Sequence, residues 1–276
     1  MSPRYVFVGG LHRSGTSLLA RVLAEHPDVS GLRGTGAPED EGQHLQDVYP
    51  TARALGGPGR FGFHEEAHLT EDSALVSRDA TRRLLSAWTP HWDLSRRILL
   101  EKSPPNLMRA GFLQALFPDS AFVMIVRHPL AVSLATWKWS HRPIHRLLDH
   151  WFVCHEALRA DAPRLRRLFV VRYECWLAEP REIHRELLRF LGLPRHTPDL
   201  PIRDANARYF ERWARRRQNP LRAPYAHWVG RRSEADARRW GYSLLEPERL
   251  RPPAALPTET PLCAGTALEI PPAESP

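Results

Sequence analysis

The chain has 276 residues, 42% of them hydrophobic, enough for a full buried core. With 39 Lys and Arg against 31 Asp and Glu, its net charge of +8 favours an anionic partner: a nucleotide, polyanion, nucleic acid or phospholipid surface. No membrane span is expected, because runs such as 121–126 and 168–171 fall far short of the roughly 20 residues that cross a bilayer.

In chain order, Arg4-Tyr5-Val6-Phe7-Val8-Gly9-Gly10 opens with a predicted strand at 4–9, too short and strand-like for a signal peptide, so a cytoplasmic location is expected. A helix at 16–26 follows. The stretch 31–64, rich in Gly, Pro and acids, reads as a long irregular excursion of the kind that carries function. Beyond it come a helix at 74–88, a strand at 97–101, a helix at 105–116, a strand at 121–126, helices at 129–140 and 144–160, a strand at 168–172 and a helix at 180–191. Pro105 and Pro129 suit first helical turns, and Gly192-Leu193-Pro194 stops the last helix. This alternation predicts an α/β fold, a P-loop-type three-layer sandwich with a central parallel sheet flanked by helices. One domain is expected over 1–250, with a disordered Pro-rich tail at 251–276. Cys154, Cys175 and Cys263 form no CxxC pair and are read as buried or inert thiols.

Between the first strand and helix lies Gly10-Leu11-His12-Arg13-Ser14-Gly15-Thr16-Ser17. A Gly-flanked loop in that position aims backbone N–H groups and the positive helix end at an anion, so the loop is predicted to bind phosphate. Its G-x4-G spacing is that of a Walker A loop, yet Thr16 stands where that motif requires Lys, which disfavours nucleotide hydrolysis. Arg13 supplies a cation inside the loop instead, with a planar fork suited to phosphate or sulfate oxygens.

In open α/β sheets ligands sit outside the carboxyl ends of the strands. Here those ends are polar and basic: Glu101-Lys102-Ser103-Pro104, Arg127-His128-Pro129 and Arg172-Tyr173-Glu174. A single Lys or Arg past a strand is ordinarily solvated, and a single Tyr half-buried; the recurrence predicts three or four cations facing the phosphate loop. Ser133, on the helix after Arg127, is a further donor to the same anion, or a routine helix Ser.

These residues resemble the motifs of the sulfotransferases that use 3′-phosphoadenosine-5′-phosphosulfate (PAPS), closest to their tyrosylprotein, heparan-type and bacterial members, over roughly 4–193. His12 to Ser17 looks like the family's 5′-phosphosulfate loop, and Ile125-Val126-Arg127-His128-Pro129 like its 3′-phosphate strand and turn. Glu101-Lys102-Ser103-Pro104 is similar to the lysine segment of the tyrosylprotein and heparan branches, and Arg172-Tyr173-Glu174 with Phe190-Leu191-Gly192 to a landmark near the adenine. The family's Ser eight residues after the 3′-phosphate Arg is replaced by Ala135, leaving Ser133 as its substitute or the contact absent.

The resemblance implies transfer of a sulfonate group from PAPS to a hydroxyl or amine, releasing adenosine 3′,5′-bisphosphate (PAP). Arg13 and Lys102 are the expected catalytic cations, and Arg13, Ser14, Gly15, Thr16, Ser17, Arg127, Ser133 and Tyr173 the expected cofactor contacts; no metal is required in principle. The excursion at 39–47 stands where the tyrosylprotein branch carries its basic Glu, which makes Glu41 the first choice of general base and His44 the second, unless the acidic run is simply solvated. Trp137, Trp139 and Trp151 suit an aromatic acceptor pocket or the core. The basic run from Arg208 to Arg232 suits an acidic peptide or glycan, or a solvated helix face. The acceptor stays open between a peptide tyrosine, a glycan and a small metabolite, and a homodimer is compatible with the chain.

Three rivals have sequence support. His64-Glu65-Glu66-Ala67-His68 fits the HExxH zinc-hydrolase pattern, with His64, Glu65 and His68 in the working positions, but Gly56-Gly57-Pro58-Gly59 precedes it and no apolar helix frames it. A P-loop nucleotide kinase shares the expected fold but needs the loop Lys and an acidic Mg²⁺ ligand. Positive charge alone prompts a nucleic-acid module, and with no recognised motif no nucleic-acid partner is expected.

Overall fold

Strands of a parallel sheet covered on both faces read as continuous apolar runs, and four of the five strands here do so. The computed structural model describes residues 4–198 and 203–253. In chain order the regular elements are β1 (Arg4–Gly10), α1 (Thr16–Ala24), β2 (Val29–Gly31), α2 (Arg78–Trp88), β3 (Ile98–Lys102), α3 (Ala110–Leu116), β4 (Ala121–Val126), α4 (Pro129–Ser140), α5 (Ile144–Asp161), β5 (Leu168–Arg172), α6 (Tyr173–Ala178), α7 (Pro180–Leu191), α8 (Ala207–Gln218) and α9 (Ala223–Arg239). All strand pairs are parallel, in the order β2-β3-β1-β4-β5.

Strand alternation divides the core in two. Phe7, Leu99, Phe122, Met124 and Val170 face one way and pack with α2, α3, α4, α5, α8 and α9. Val6, Val8, Leu100, Val123, Ile125 and Val171 face the other way and pack with α1, α6 and α7. The result is the expected three-layer α/β arrangement.

The differences from expectation are local. β2 is only three residues long, too short to show a pattern. The helix expected at 105–116 is a 3-10 turn at Pro104–Met108 followed by α3, broken at Arg109, whose buried Nη2 donates to the Pro50 carbonyl at 2.7 Å. α2 starts later than expected because Ser77 caps it, its side chain accepting from Ala80 N at 3.1 Å. The stretch 31–64 is irregular apart from short 3-10 turns, yet Gln43 and Phe61 in it are fully buried. Cys154 is a free buried thiol, and Cys175 is buried as well. Of the segment expected as a tail, Arg251 is tied down, its N–H donating to the Gly241 carbonyl at 2.9 Å; 254–276 lie outside the described residues. No helix among the described residues is long and apolar enough to cross a membrane.

Candidate active site

Register brings the site together. β1 lies between β3 and β4, with Val8 paired to Lys102 and Gly10 to Ile125, so the loop leaving β1 is flanked by Lys102 on one side and Arg127 on the other. Two sheet spacings separate those strand ends by about 10 Å. The loop itself turns sharply: Gly10 and Gly15 have φ of 152° and 109°, and Arg13 has φ 71°, a left-handed conformation that a non-glycine residue takes only when its surroundings impose it. Ser14 is buried, its N–H and its hydroxyl both donating to the Leu11 carbonyl at 3.0 and 2.6 Å. Thr16 and Ser17 then open α1, whose first N–H groups have no intrahelical acceptors and face the loop's concavity.

Lys102 is buried, and its Nζ donates to Ser17 Oγ at 3.3 Å and pairs with Glu41 Oε1 at 3.1 Å. The Glu41 part of the acidic excursion is therefore folded against the end of β3 beside the loop after β1, while Asp47 at its far end is solvated. Glu41 is 6% exposed, Gln43 Nε2 donates to its other oxygen at 2.6 Å, and His44 Nε2 lies 3.6 Å from that oxygen. Glu39, by contrast, is exposed. An open cleft lined by Ser17, Arg21, Arg33, Glu39 and Asp40 leads from solvent to Lys102.

Beneath Glu41 sits Glu101, fully buried. Its Oε1 accepts from Gly42 N at 3.0 Å and from Ser103 Oγ at 2.5 Å, and its Oε2 accepts from Asn106 Nδ2 at 2.6 Å. Burial pushes its carboxyl up to about 7, against the pull of those hydrogen bonds and of Lys102. His12 is held down to about 3, first by burial and then by the Lys102 and His44 charges, so its imidazole is neutral.

On the other side Arg127 is 6% exposed. Its Nε donates to Asn206 Oδ1 at 2.7 Å and its Nη1 to the Arg13 carbonyl at 2.9 Å, while the guanidinium lies 4.4 Å from the Tyr173 ring centre. Nη2 is buried without a hydrogen-bond partner, a donor awaiting an acceptor. Burial lowers the Arg127 pKa from its usual value. Asn206 is fixed in turn by Glu174, whose Oε1 accepts from Asn206 Nδ2 at 2.8 Å and from His128 N at 3.0 Å, and whose Oε2 accepts from Tyr242 Oη at 3.0 Å. Glu174 was named in the sequence only as part of the strand end Arg172-Tyr173-Glu174, with no role assigned, and Asn206 escaped that reading, since nothing around it in the sequence marks it.

Other expected residues are placed differently. Arg172 does not face the phosphate loop: its Nη1 and Nη2 donate to the Arg251 and Gly241 carbonyls at 2.8 and 2.6 Å, because its side chain turns toward the segment after α9. The Arg13 side chain is exposed and lies over Trp139 at 4.8 Å. Ser133 is buried with its hydroxyl unpartnered, in a small pocket with Leu11, His12, Gly59, Thr136 and His150. The Tyr173 hydroxyl donates to the Arg203 carbonyl at 3.0 Å. Trp151 is core, Trp139 is 57% exposed, and Arg212 stacks over Trp137 at 5.0 Å. In the HExxH segment a 3-10 turn at Glu65–Ala67 replaces a helix, so His64 and His68 do not share a helical face; His68 Nε2 instead meets Asp161 at 2.9 Å.

The model of the Sulfotransferase family matches residues 3–198, and the chain belongs to that family. Protein-tyrosine sulfotransferase 2 of Gallus gallus is 25% identical over 198 residues, covering 68% of this chain and 51% of that protein. The nodulation protein NoeE of Sinorhizobium fredii is 26% identical over 145 residues, covering 49% of this chain and 32% of that one. The chain thus spans about half the length or less of these curated relatives. Among solved structures, sulfotransferase STF9 from Mycobacterium avium aligns at TM-score 0.49 and 15% identity, covering 79% of this chain and 70% of that one.

Proposed function

We propose that this protein transfers a sulfonate group from PAPS to a hydroxyl or amine acceptor by in-line displacement. The observation that carries the reading is Lys102: it meets Ser17 of the phosphate loop and Glu41 together, supplying from the neighbouring strand the cation that the loop lacks at Thr16. Ser14, Gly15, Thr16 and Ser17 cradle the 5′-phosphosulfate through backbone N–H groups and hydroxyls. Arg127 holds the 3′-phosphate through its unpartnered Nη2, backed by Tyr173. Ser133 is the weaker member of this set, since its hydroxyl opens into the pocket beside His12.

Glu41 accepts the acceptor's proton as the acceptor oxygen or nitrogen bonds to sulfur and the bond from sulfur to the bridging oxygen breaks; His44 is the adjoining second base. Negative charge grows on the leaving bridging oxygen, where Lys102, and Arg13 swung from Trp139, stabilise it. Protonation of Glu41 releases its hold on Lys102 just as that oxygen needs the charge. The acceptor belongs to the peptide, glycan or small-metabolite classes.

Calorimetric titration with PAP and with ATP, both in EDTA, tests the donor assignment. Binding of PAP that ATP does not match, weakened in Arg13→Ala and Arg127→Ala, supports it; folded protein that ignores PAP removes it.

A further inference from the structure

Glu101 occupies the position before Lys102 on β3, so strand alternation turns the two side chains to opposite faces of the sheet. The chain that reaches Lys102 from above, Glu41-Gly42-Gln43, is fastened at the back by Glu101 and its neighbours. Gly42 N donates to Glu101 Oε1, Gln43 N donates to Ser103 Oγ at 3.0 Å, and Trp88 Nε1 donates to the Gly42 carbonyl at 3.0 Å. Glycine is required there: a Cβ at Gly42 would stand 2.6 Å from Glu101 Cγ and 2.9 Å from Trp88 Nε1. Every group touching the Glu101 carboxylate, Gly42 N–H, Ser103 O–H and Asn106 NH₂, is a donor, so the site is built for an acceptor on both oxygens.

We propose that Glu101 is a positioning residue that sets the spacing of the Glu41–Lys102 pair, by anchoring the Glu41-Gly42-Gln43 backbone to the end of the strand that carries Lys102. The inference rests on the reading of Glu41 as the proton acceptor. The base and the cation are thereby referenced to one strand end, and a misplacement of about 1 Å in such a pair lowers turnover by up to about a hundredfold. The anchor also titrates: burial raises the Glu101 carboxyl to about 7. The charged or titratable groups around it are Lys102 on the same strand, Glu41 on the excursion, and Tyr49 and Arg109 from the segments packed behind.

The test uses PAPS hydrolysis with water as acceptor, so no acceptor need be known, together with calorimetry of PAP and hydrogen exchange at the Gly42 amide. Glu101→Gln is isosteric but presents an NH₂ to a donor. It is expected to lower kcat about tenfold or more and to speed Gly42 exchange by a similar factor, with PAP affinity kept within about twofold. Ser103→Ala, which cuts the link to Gln43 and removes one of the three donors to the Glu101 carboxylate while leaving the Gly42 bond in place, is expected to move kcat and exchange in the same direction by less, and serves where Glu101→Gln fails to fold. Unchanged kcat and exchange, or a loss of PAP affinity matching the loss of kcat, would overturn the proposal. Glu41→Gln separates the two ideas: wild-type hydrolysis in that variant removes Glu41 as base, while Gly42 exchange in Glu101→Gln still judges the anchor.

Discussion

Arg127→Lys keeps a positive charge at the end of β4 and removes the fork. In the wild type Nε is taken by Asn206 Oδ1 at 2.7 Å and Nη1 by the Arg13 carbonyl at 2.9 Å, leaving Nη2 for a ligand. An ammonium on a flexible stem cannot reach both fixed acceptors and a phosphate oxygen in the same plane. Losing one hydrogen bond to a charged group costs about 1.5–3 kcal/mol, which predicts PAP binding weaker by about 10- to 150-fold. Arg127→Ala also strands Asn206 Oδ1, which costs about 1–3 kcal/mol of folding stability. The assay is calorimetry with PAP and with adenosine 5′-phosphate, which lacks the 3′-phosphate. The wild type should prefer PAP, and Arg127→Lys should lose most of that preference while holding adenosine 5′-phosphate within about twofold. Equal weakening of both ligands would refute the placement of the 3′-phosphate at Nη2 and make Arg127 a support for the Arg13 turn alone.

Three further outcomes follow from the same contacts. Gly42→Ala, whose Cβ meets Glu101 and Trp88 below 3 Å, should destabilise by about 1–3 kcal/mol and reduce turnover while sparing PAP affinity, as urea midpoints and calorimetry would register. Burial raises the folded-state pKa of Glu101 to about 7 from its ordinary 4.5, so it favours the folded state fully below pH 4.5, and that advantage is lost as pH rises through 7. At about 1.4 kcal/mol per pKa unit this is on the order of 3 kcal/mol, and the stability of Glu101→Gln relative to wild type should rise between pH 4.5 and pH 8. His68 is raised above its ordinary value, first by its hydrogen bond to Asp161, so its stabilisation is present below pH 6.5 and fades as pH passes its folded pKa. Unfolding of His68→Ala should lack that dependence.

Much of the site was legible because strand ends are punctuated in sequence. Apolar runs stopping at Lys102, at Arg127 and at Tyr173 mark where side chains leave the sheet, and the Gly-flanked loop after β1 marks the helix start between them. α8 and α9 were missed because their buried faces are carried by few or small groups, Tyr209, Phe210 and Trp213 on one and Ala226, Val229 and Ala237 on the other, amid arginines that read as a solvated run. The fate of Arg172 was likewise invisible: nothing in Arg172-Tyr173-Glu174 says that the segment after α9 returns to meet it.

The sequence by itself determined the layer architecture, the Gly-flanked loop after β1 and the residue types around it, because hydrophobic period and glycine placement act over a few neighbouring residues. Which cations face the loop, and which carboxylate is the paired one, depended on contacts between residues far apart in the chain. Lys102 meets Glu41 across 61 positions and Arg127 meets Asn206 across 79. Such pairs are set by sheet order and by the desolvation that forces every buried polar group to find a partner, and only the tertiary structure decides them.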